Sequence, residues 1–199
     1  MRFIESILLK DGEYKNLSYH QQRMDHVFEK FAPKNDAHNL SRILPHLQME
    51  GVFKVRIVYD MDSEDAEYDI EYSEYQPRKI NTLEVVHSPP FDYSMKYENR
   101  TPIAKLLRSS QADDIIIAMN GSITDGSYFN LAFWNGNEWL TPDTPLLKGV
   151  RRTQLLAEGK IKEAPIRISE LGAFEKVSLI NAMLDLSEVE VPLSAILKR

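Results

Sequence analysis

The stretch "DDIIIAMNGSITDGSYFNLAFWNGNEWLTP", Asp113–Pro142, leaves the chain little choice of local structure. β-Branched and aromatic residues crowd into short runs, which suits a pleated, partly buried surface. Asn120-Gly121 and Asn135-Gly136-Asn137 separate those runs. Such pairs tolerate the positive φ that a tight hairpin needs. The pattern predicts a β-meander.

The flanking segments read more loosely. "RFIESILLKDG" is a strand ending in a turn at Asp11-Gly12. "LSYHQQRMDHVFEKF" is a helix capped by Ser18, with Met24, Val27, Phe28 and Phe31 as an apolar stripe at helical spacing. Arg23 lies four residues before Val27 and therefore beside that stripe. "NLSRILPHLQMEG" is a second helix, which Pro45 either kinks or restarts. "VFKVRIVYD", "EYDIEYSEY" and "INTLEVVH" are strands, and "SPPFDYSMKYENR" breaks the pattern as a linker. A helix in "RTPIAKLLRSS", the meander, a helix from Gly149, a strand in "EKVSLINAM" and a short closing segment complete the chain. The expectation is an α+β protein of two units: a smaller one over 1–88, a crossing at 89–95, and a larger β-rich one over 96–199.

Bulk properties exclude several functions. A chain of 199 residues can bury one good core or two small ones. A net charge of −6 argues against a nucleic-acid partner, and the absence of cysteine removes disulfides, thiolate nucleophiles and cysteine-based metal sites. No apolar run approaches the roughly 20 residues of a membrane span, and the opening residues lack a signal-peptide core. A cytoplasmic protein with no membrane partner is expected. His20, His26, His38, His46 and His87 show no paired spacing, so no metal is expected. The run "DMDSEDAEYD" is most simply a solvated hairpin.

Two features carry chemistry. In "PLLKGVRR" a glycine and two arginines open a helix, although helix N-terminal amides already bear partial positive charge. That is either a solvated basic turn or a place where an anion docks on free N–H groups. In "YSMKYENRTP", Lys96 stands just before a helix, flanked by Tyr93, Met95 and Tyr97. A lysine desolvated at such a junction has a lowered pKa and becomes a nucleophile toward an aldehyde. An aldehyde-binding lysine, a carboxylate in "TDGSYFN" and an anion site are the parts needed to hold pyridoxal 5'-phosphate.

Here the chain resembles the class IV aminotransferases, the fold-type IV pyridoxal-phosphate enzymes, which include branched-chain and D-amino-acid aminotransferases and aminodeoxychorismate lyase. The resemblance runs from "FIESILLKDG" and "LSYHQQRM" through "MKYENR" and "ITDGSYFNLAFWNGNEWLTPDTPLLKGVRR" to "LINAM". It implies a two-domain α+β fold and a homodimer acting on a small amino substrate. It implies that Lys96 binds the cofactor aldehyde and later moves a proton, and that Asp125 pairs with the pyridine nitrogen. Arg23 matches a phosphate-binding arginine, and Leu147 an apolar residue against the ring. Gly149, Val150 and Arg151 match a helix start whose amides take the phosphate, which would be the anion in front of "GVRR". Asn181 and Ala182 match a second phosphate loop.

Two departures stand out. Asp125 replaces the family's usual glutamate, and the chain opens at "FIES", where the family has a further first strand. Ile4 stands where some relatives carry a substrate-facing aromatic residue, and Thr124 reads as a plain strand residue. The short form and "LINAM" look most like an aminodeoxychorismate lyase; an aminotransferase and a non-catalytic binding module are the alternatives.

Overall fold

The computed structural model describes residues 1–35, 37, 39–60 and 68–198. The chain divides into two compact units. The first holds Met1–Pro77 together with Met95–Asn99; the second holds Arg78–Ser94 and the chain from Arg100 onward.

In the first unit, strands β1 (Arg2–Lys10), β2 (Glu13–Tyr14), β3 (Val52–Asp60) and β4 (Tyr68–Glu74) form one antiparallel sheet in the order β2-β1-β3-β4. Helices α1 (Leu17–Phe31) and α2 (Leu40–Ile43) belong to the same unit. Side chains alternate along a strand, so Phe3, Glu5, Ile7 and Leu9 share one face of β1, and all four are fully buried. Met24, Val27 and Phe28 of α1 join that core with Val55, Ile57 and Tyr59 of β3. The free edge of β1 near its start is closed by the returning segment. Ile4 N–H donates to the Lys96 carbonyl at 3.1 Å, and Glu98 N–H donates to the Arg2 carbonyl at 2.9 Å.

The second unit contains β5 (Leu83–His87), α3 (Thr101–Arg108), β6 (Asp114–Met119), β7 (Ser122–Gly126), β8 (Asn130–Trp134), β9 (Trp139–Pro142), α4 (Val150–Ala157), β10 (Lys162–Ala164), β11 (Lys176–Ile180), β12 (Glu190–Pro192) and β13 (Ile196–Lys198). One sheet runs β13-β5-β6-β7 and the other β10-β9-β8-β11-β12. Their inner faces share a core that includes Leu83, Ile116, Ile123, Leu131, Phe133, Val177 and Leu179.

Four expectations need correction. The meander is split: β7 ends one sheet and β8 begins pairing in the other. The turn between them needs a residue without Cβ, because a Cβ on Gly126 would lie 2.0 Å from the Phe129 ring. The units do not divide at 88, because β5 pairs in parallel with β6 and β13 and so belongs with the second sheet system. Ser18 does not cap α1; Asn16 does, at φ 56°, with its carbonyl accepting from Tyr19 and His20 N–H. Pro45 neither kinks nor restarts a helix, since α2 stops at Ile43 and Leu44 is extended, as the residue before a proline prefers to be. The acidic run falls mostly on residues 61–67, outside the described residues, although β3 and β4 on either side pair as a hairpin would. The Asn120-Gly121 turn forms as read, with φ of 52° and 81°.

Gly126→Ala is expected to cost about 1–3 kcal/mol, the usual range for overpacking a closed site. Urea unfolding of the two proteins measures it, and equal midpoints would refute the close approach to Phe129.

Candidate active site

Lys96 sits in the first unit in a left-handed conformation, φ 53°. A non-glycine residue pays for that geometry, and such strain persists where surrounding bonds over-determine it. Here the bonds are those to β1 on either side of Phe3 and the bridge Phe3–Tyr97. Glu98 adds a clamp two residues on, accepting from Arg56 at 2.8 Å and pairing with Arg2 at 3.2 Å. Lys96 is half-buried, while Met95 beside it is buried in the core.

Arg23 sits where the helical spacing put it, at the border of the buried stripe, with an acid for company. Its Nε donates to Glu5 Oε1 at 2.7 Å, and a second N–H reaches Oε2. His20 Nδ1 meets Glu5 Oε2 at 2.6 Å. Burial alone would raise the Glu5 pKa, but the Arg23 guanidinium, with His20 helping, brings it to about 2. Burial pushes the His20 pKa down, as do the charges of Arg23 and Lys96, against the pull of Glu5. His20 is therefore neutral at neutral pH, and facing a carboxylate it must donate from Nδ1. Its Nε2 is buried and has no hydrogen-bond partner among the described residues.

The second unit brings Asp125, Leu147 and Gly149 together. Asp125 is 5% exposed at the end of β7. Asn130 Nδ2 donates to its Oδ1 at 2.7 Å, and Leu147 N–H to its Oδ2 at 2.9 Å. Burial raises the Asp125 pKa to about 6 against these donors and the more distant Arg152 charge. These donors, with the Leu146 amide as a further one, are neutral, and an ionised carboxylate offers about four acceptor sites. A protonated ring nitrogen is the cation that suits such a group.

Next to it begins α4. The Gly149 N–H is already taken, by the Leu147 carbonyl at 2.9 Å. What Gly149 supplies is room: a Cβ there would lie 2.1 Å from Asn130 Oδ1. The Val150 and Arg151 amides have no acceptor among the described residues, as expected for a first helical turn. The two arginines are satisfied otherwise. Arg151 donates to Asp185 at 3.0 Å and Gln154 at 2.6 Å; Arg152, 2% exposed, donates to the Pro142 carbonyl at 2.8 Å and Glu163 at 2.7 Å. Free amides, then, favour an anion at this helix start; the arginine side chains do not. Asn181 makes a turn, its Oδ1 accepting from Met183 and Leu184 N–H at 2.8 and 3.1 Å. Its own N–H is bonded to Leu184, whereas Ala182 N–H has no acceptor among the described residues.

Sequence reading missed Glu5, His20 and Arg100. Glu5 had a signal, since it alternates with Phe3, Ile7 and Leu9 on the buried face of β1. Arg100 had none. It stacks 3.8 Å above the Tyr128 ring and donates to the Ser127 carbonyl, bracing the turn that follows Asp125.

The first unit thus presents an amine on a strained backbone, and the second a carboxylate suited to a ring cation beside helix amides suited to an anion. Known proteins resemble the chain. The model of the amino-transferase class IV family matches residues 2–190. An uncharacterized protein of Haemophilus influenzae is 35% identical over 184 residues, 90% of this chain and 96% of its own. A crystal structure from Haemophilus somnus 129PT, described as a candidate 4-amino-4-deoxychorismate lyase, is 36% identical with a TM-score of 0.85, covering 93% of this chain and 97% of that one. A hypothetical aminotransferase from Mycobacterium tuberculosis, solved with pyridoxal phosphate bound, has a TM-score of 0.79 at 15% identity, covering 100% and 83%; this likeness is one of fold. The chain belongs to the amino-transferase class IV family, whose members depend on pyridoxal phosphate. Among the described residues, no helix is long and apolar enough to cross a membrane.

Glu5→Gln leaves Arg23 with an uncharged partner in a buried setting, and we expect a loss of about 3 kcal/mol at neutral pH. The pH profile gives a second check. Because its folded pKa is lowered to about 2, Glu5 contributes stability that is present above its ordinary range near 4.5 and lost as pH falls toward 2. That acid limb should flatten in Glu5→Gln when unfolding is followed by circular dichroism. An unchanged limb would assign acid sensitivity to another group.

Proposed function

We propose that this protein is a 4-amino-4-deoxychorismate lyase, releasing pyruvate and p-aminobenzoate for folate synthesis. The observation that carries the reading is the likeness, over nearly the whole of both chains, to the Haemophilus somnus protein described as such a lyase.

The site residues take the following roles. Lys96 binds the cofactor aldehyde, Asp125 holds the pyridine nitrogen, and Leu147 packs against the ring. Arg23 and the amides at Gly149–Arg151 serve the phosphate; Gly149 does so by leaving space. Asn181 shapes a second phosphate loop through which the Ala182 amide contributes. The bound cofactor supplies an electron sink for the carbon that carries the substrate nitrogen. Lys96 would be the base that takes the proton from that carbon. The ring carbon–oxygen bond then breaks, its electron pair leaves with the enolpyruvate oxygen, and the enolpyruvate takes up a proton as pyruvate. The ring becomes aromatic, so no second substrate is needed. Asp125, kept ionised by its cationic partner, holds the ring nitrogen protonated throughout. A homodimer in the cytoplasm is part of the same reading.

The test is p-aminobenzoate fluorescence from enzymatically made aminodeoxychorismate, with Lys96→Ala as control. Product that disappears in Lys96→Ala supports the lyase. No product from the substrate, with keto acid formed from a D- or L-amino acid, overturns it in favour of an aminotransferase. Silence in both assays favours a binding module. In the active protein, Asp125→Asn is expected to lower kcat by at least about 100-fold, the scale of losing one preorganised charge stabiliser, while the cofactor stays bound. Full activity would place the pyridine partner elsewhere.

A further inference from the structure

The Asn130 carboxamide links Asp125 to the strap that leads into α4. Its nitrogen donates to Asp125 Oδ1 at 2.7 Å and to the Leu147 carbonyl at 2.8 Å. Both partners are acceptors, so the side chain cannot be turned the other way round. Its oxygen lies where a Cβ on Gly149 would be, 2.1 Å from the ideal position. Leu147 returns a bond from its N–H to Asp125 Oδ2 at 2.9 Å, and its carbonyl also accepts the Gly149 N–H at 2.9 Å. Carboxylate, strap and helix start thus close around one side chain that is 5% exposed.

We propose that Asn130 is a positioning residue that fixes the Asp125 carboxylate at a set spacing from the free amides at the start of α4, so that the acid and the anion site act as one preassembled element. The proposal rests on the reading that Asp125 takes the ring nitrogen and α4 the phosphate of the cofactor. It does not depend on which reaction follows. Asn130 would touch neither the substrate nor the reacting atoms, and its effect passes through Asp125 and through the Leu147–Gly149 strap. A strap of this kind explains why residue 149 has no side chain: glycine there is what allows the carboxamide to sit against the backbone.

Asn130→Leu removes the hydrogen bonds while keeping size and adding no charge. Three quantities are read on the full chain: affinity for pyridoxal 5'-phosphate by absorbance, affinity for phosphate-free pyridoxal by the same signal, and affinity for inorganic phosphate by its competition with the cofactor. Losing a buried bond to a charged group is worth about 10- to 100-fold. We expect a weakening of that size for pyridoxal 5'-phosphate and a clear loss for each half probe. The proton on Asp125, followed by carbon NMR of the cofactor-free chain, should also leave at a pH above about 6. Pyridoxal weakened with phosphate binding unchanged would overturn the coupling, and so would all three affinities unchanged. If Asn130→Leu fails to fold by circular dichroism, Gly149→Ala keeps the carboxamide and displaces it from the other side. It should weaken both half probes together; normal affinity for both sinks the proposal. None of these readings is of turnover, so a failed lyase assay would leave the outcome interpretable.

Discussion

Taking a carboxylate out of water costs several kcal/mol unless a partner or a proton replaces the lost solvation. Among the buried carboxylates, Glu5 and Asp125 are treated oppositely. Glu5, fully buried on β1, receives the Arg23 guanidinium and a donor from His20 and is held ionised. Asp125 receives neutral donors, from Asn130 and the Leu147 amide, and its pKa rises to about 6. The first acid is satisfied by the protein itself. The second is left short of a full cation, which is the condition in which a cationic ring nitrogen gains most by docking against it. The two acids also push stability in opposite directions with pH. A raised carboxylate pKa makes stability fall as pH climbs from about 4 toward 6, where a lowered one makes it rise through the acid range.

Each unit positions its candidate site groups by a different backbone device. In the first, the chain returns to the open edge of β1, and its hydrogen bonds hold Lys96 at a positive φ. In the second, two glycines allow close approach. Gly126 lies under the Phe129 ring where the chain leaves one sheet for the other, and Gly149 lies against the Asn130 carboxamide where α4 begins. The arginines of "GVRR" need no ligand to be stable, since Asp185 and Glu163 neutralise them. They tie α4 to its surroundings, while the Val150 and Arg151 amides keep no acceptor among the described residues.

Much of the secondary structure could be read along the chain, because it follows local patterns. The Asn120-Gly121 turn, the stripe of α1 and the strands β3, β4, β6 and β11 stand where alternation or helical spacing put them. What could not be read was partnership. β5 looks like any other strand, and only its pairing with β6 and β13 assigns it to the second unit. β7 and β8 look like successive arms of one meander, yet they belong to different sheets. Helix capping failed for a related reason: Ser18 and Asn16 are comparable caps by type, but Asn16 holds the left-handed turn that joins β2 to α1.

The sequence by itself determined the inventory: an amine, an acid, a border arginine and a glycine-led helix, the last two legible from helical spacing and the first two from their setting and the family resemblance. Only the tertiary structure decided what these groups touch. Glu5 is a charged residue in an apolar strand until α1 lays Arg23 and His20 against it. Asn130 is the first residue of β8 until the strap from Leu147 to Gly149 closes on its carboxamide. Burial and hydrogen bonding set the charge of such groups, and both depend on residues distant in sequence. Residue types are local, whereas desolvation is a property of the whole packed neighbourhood.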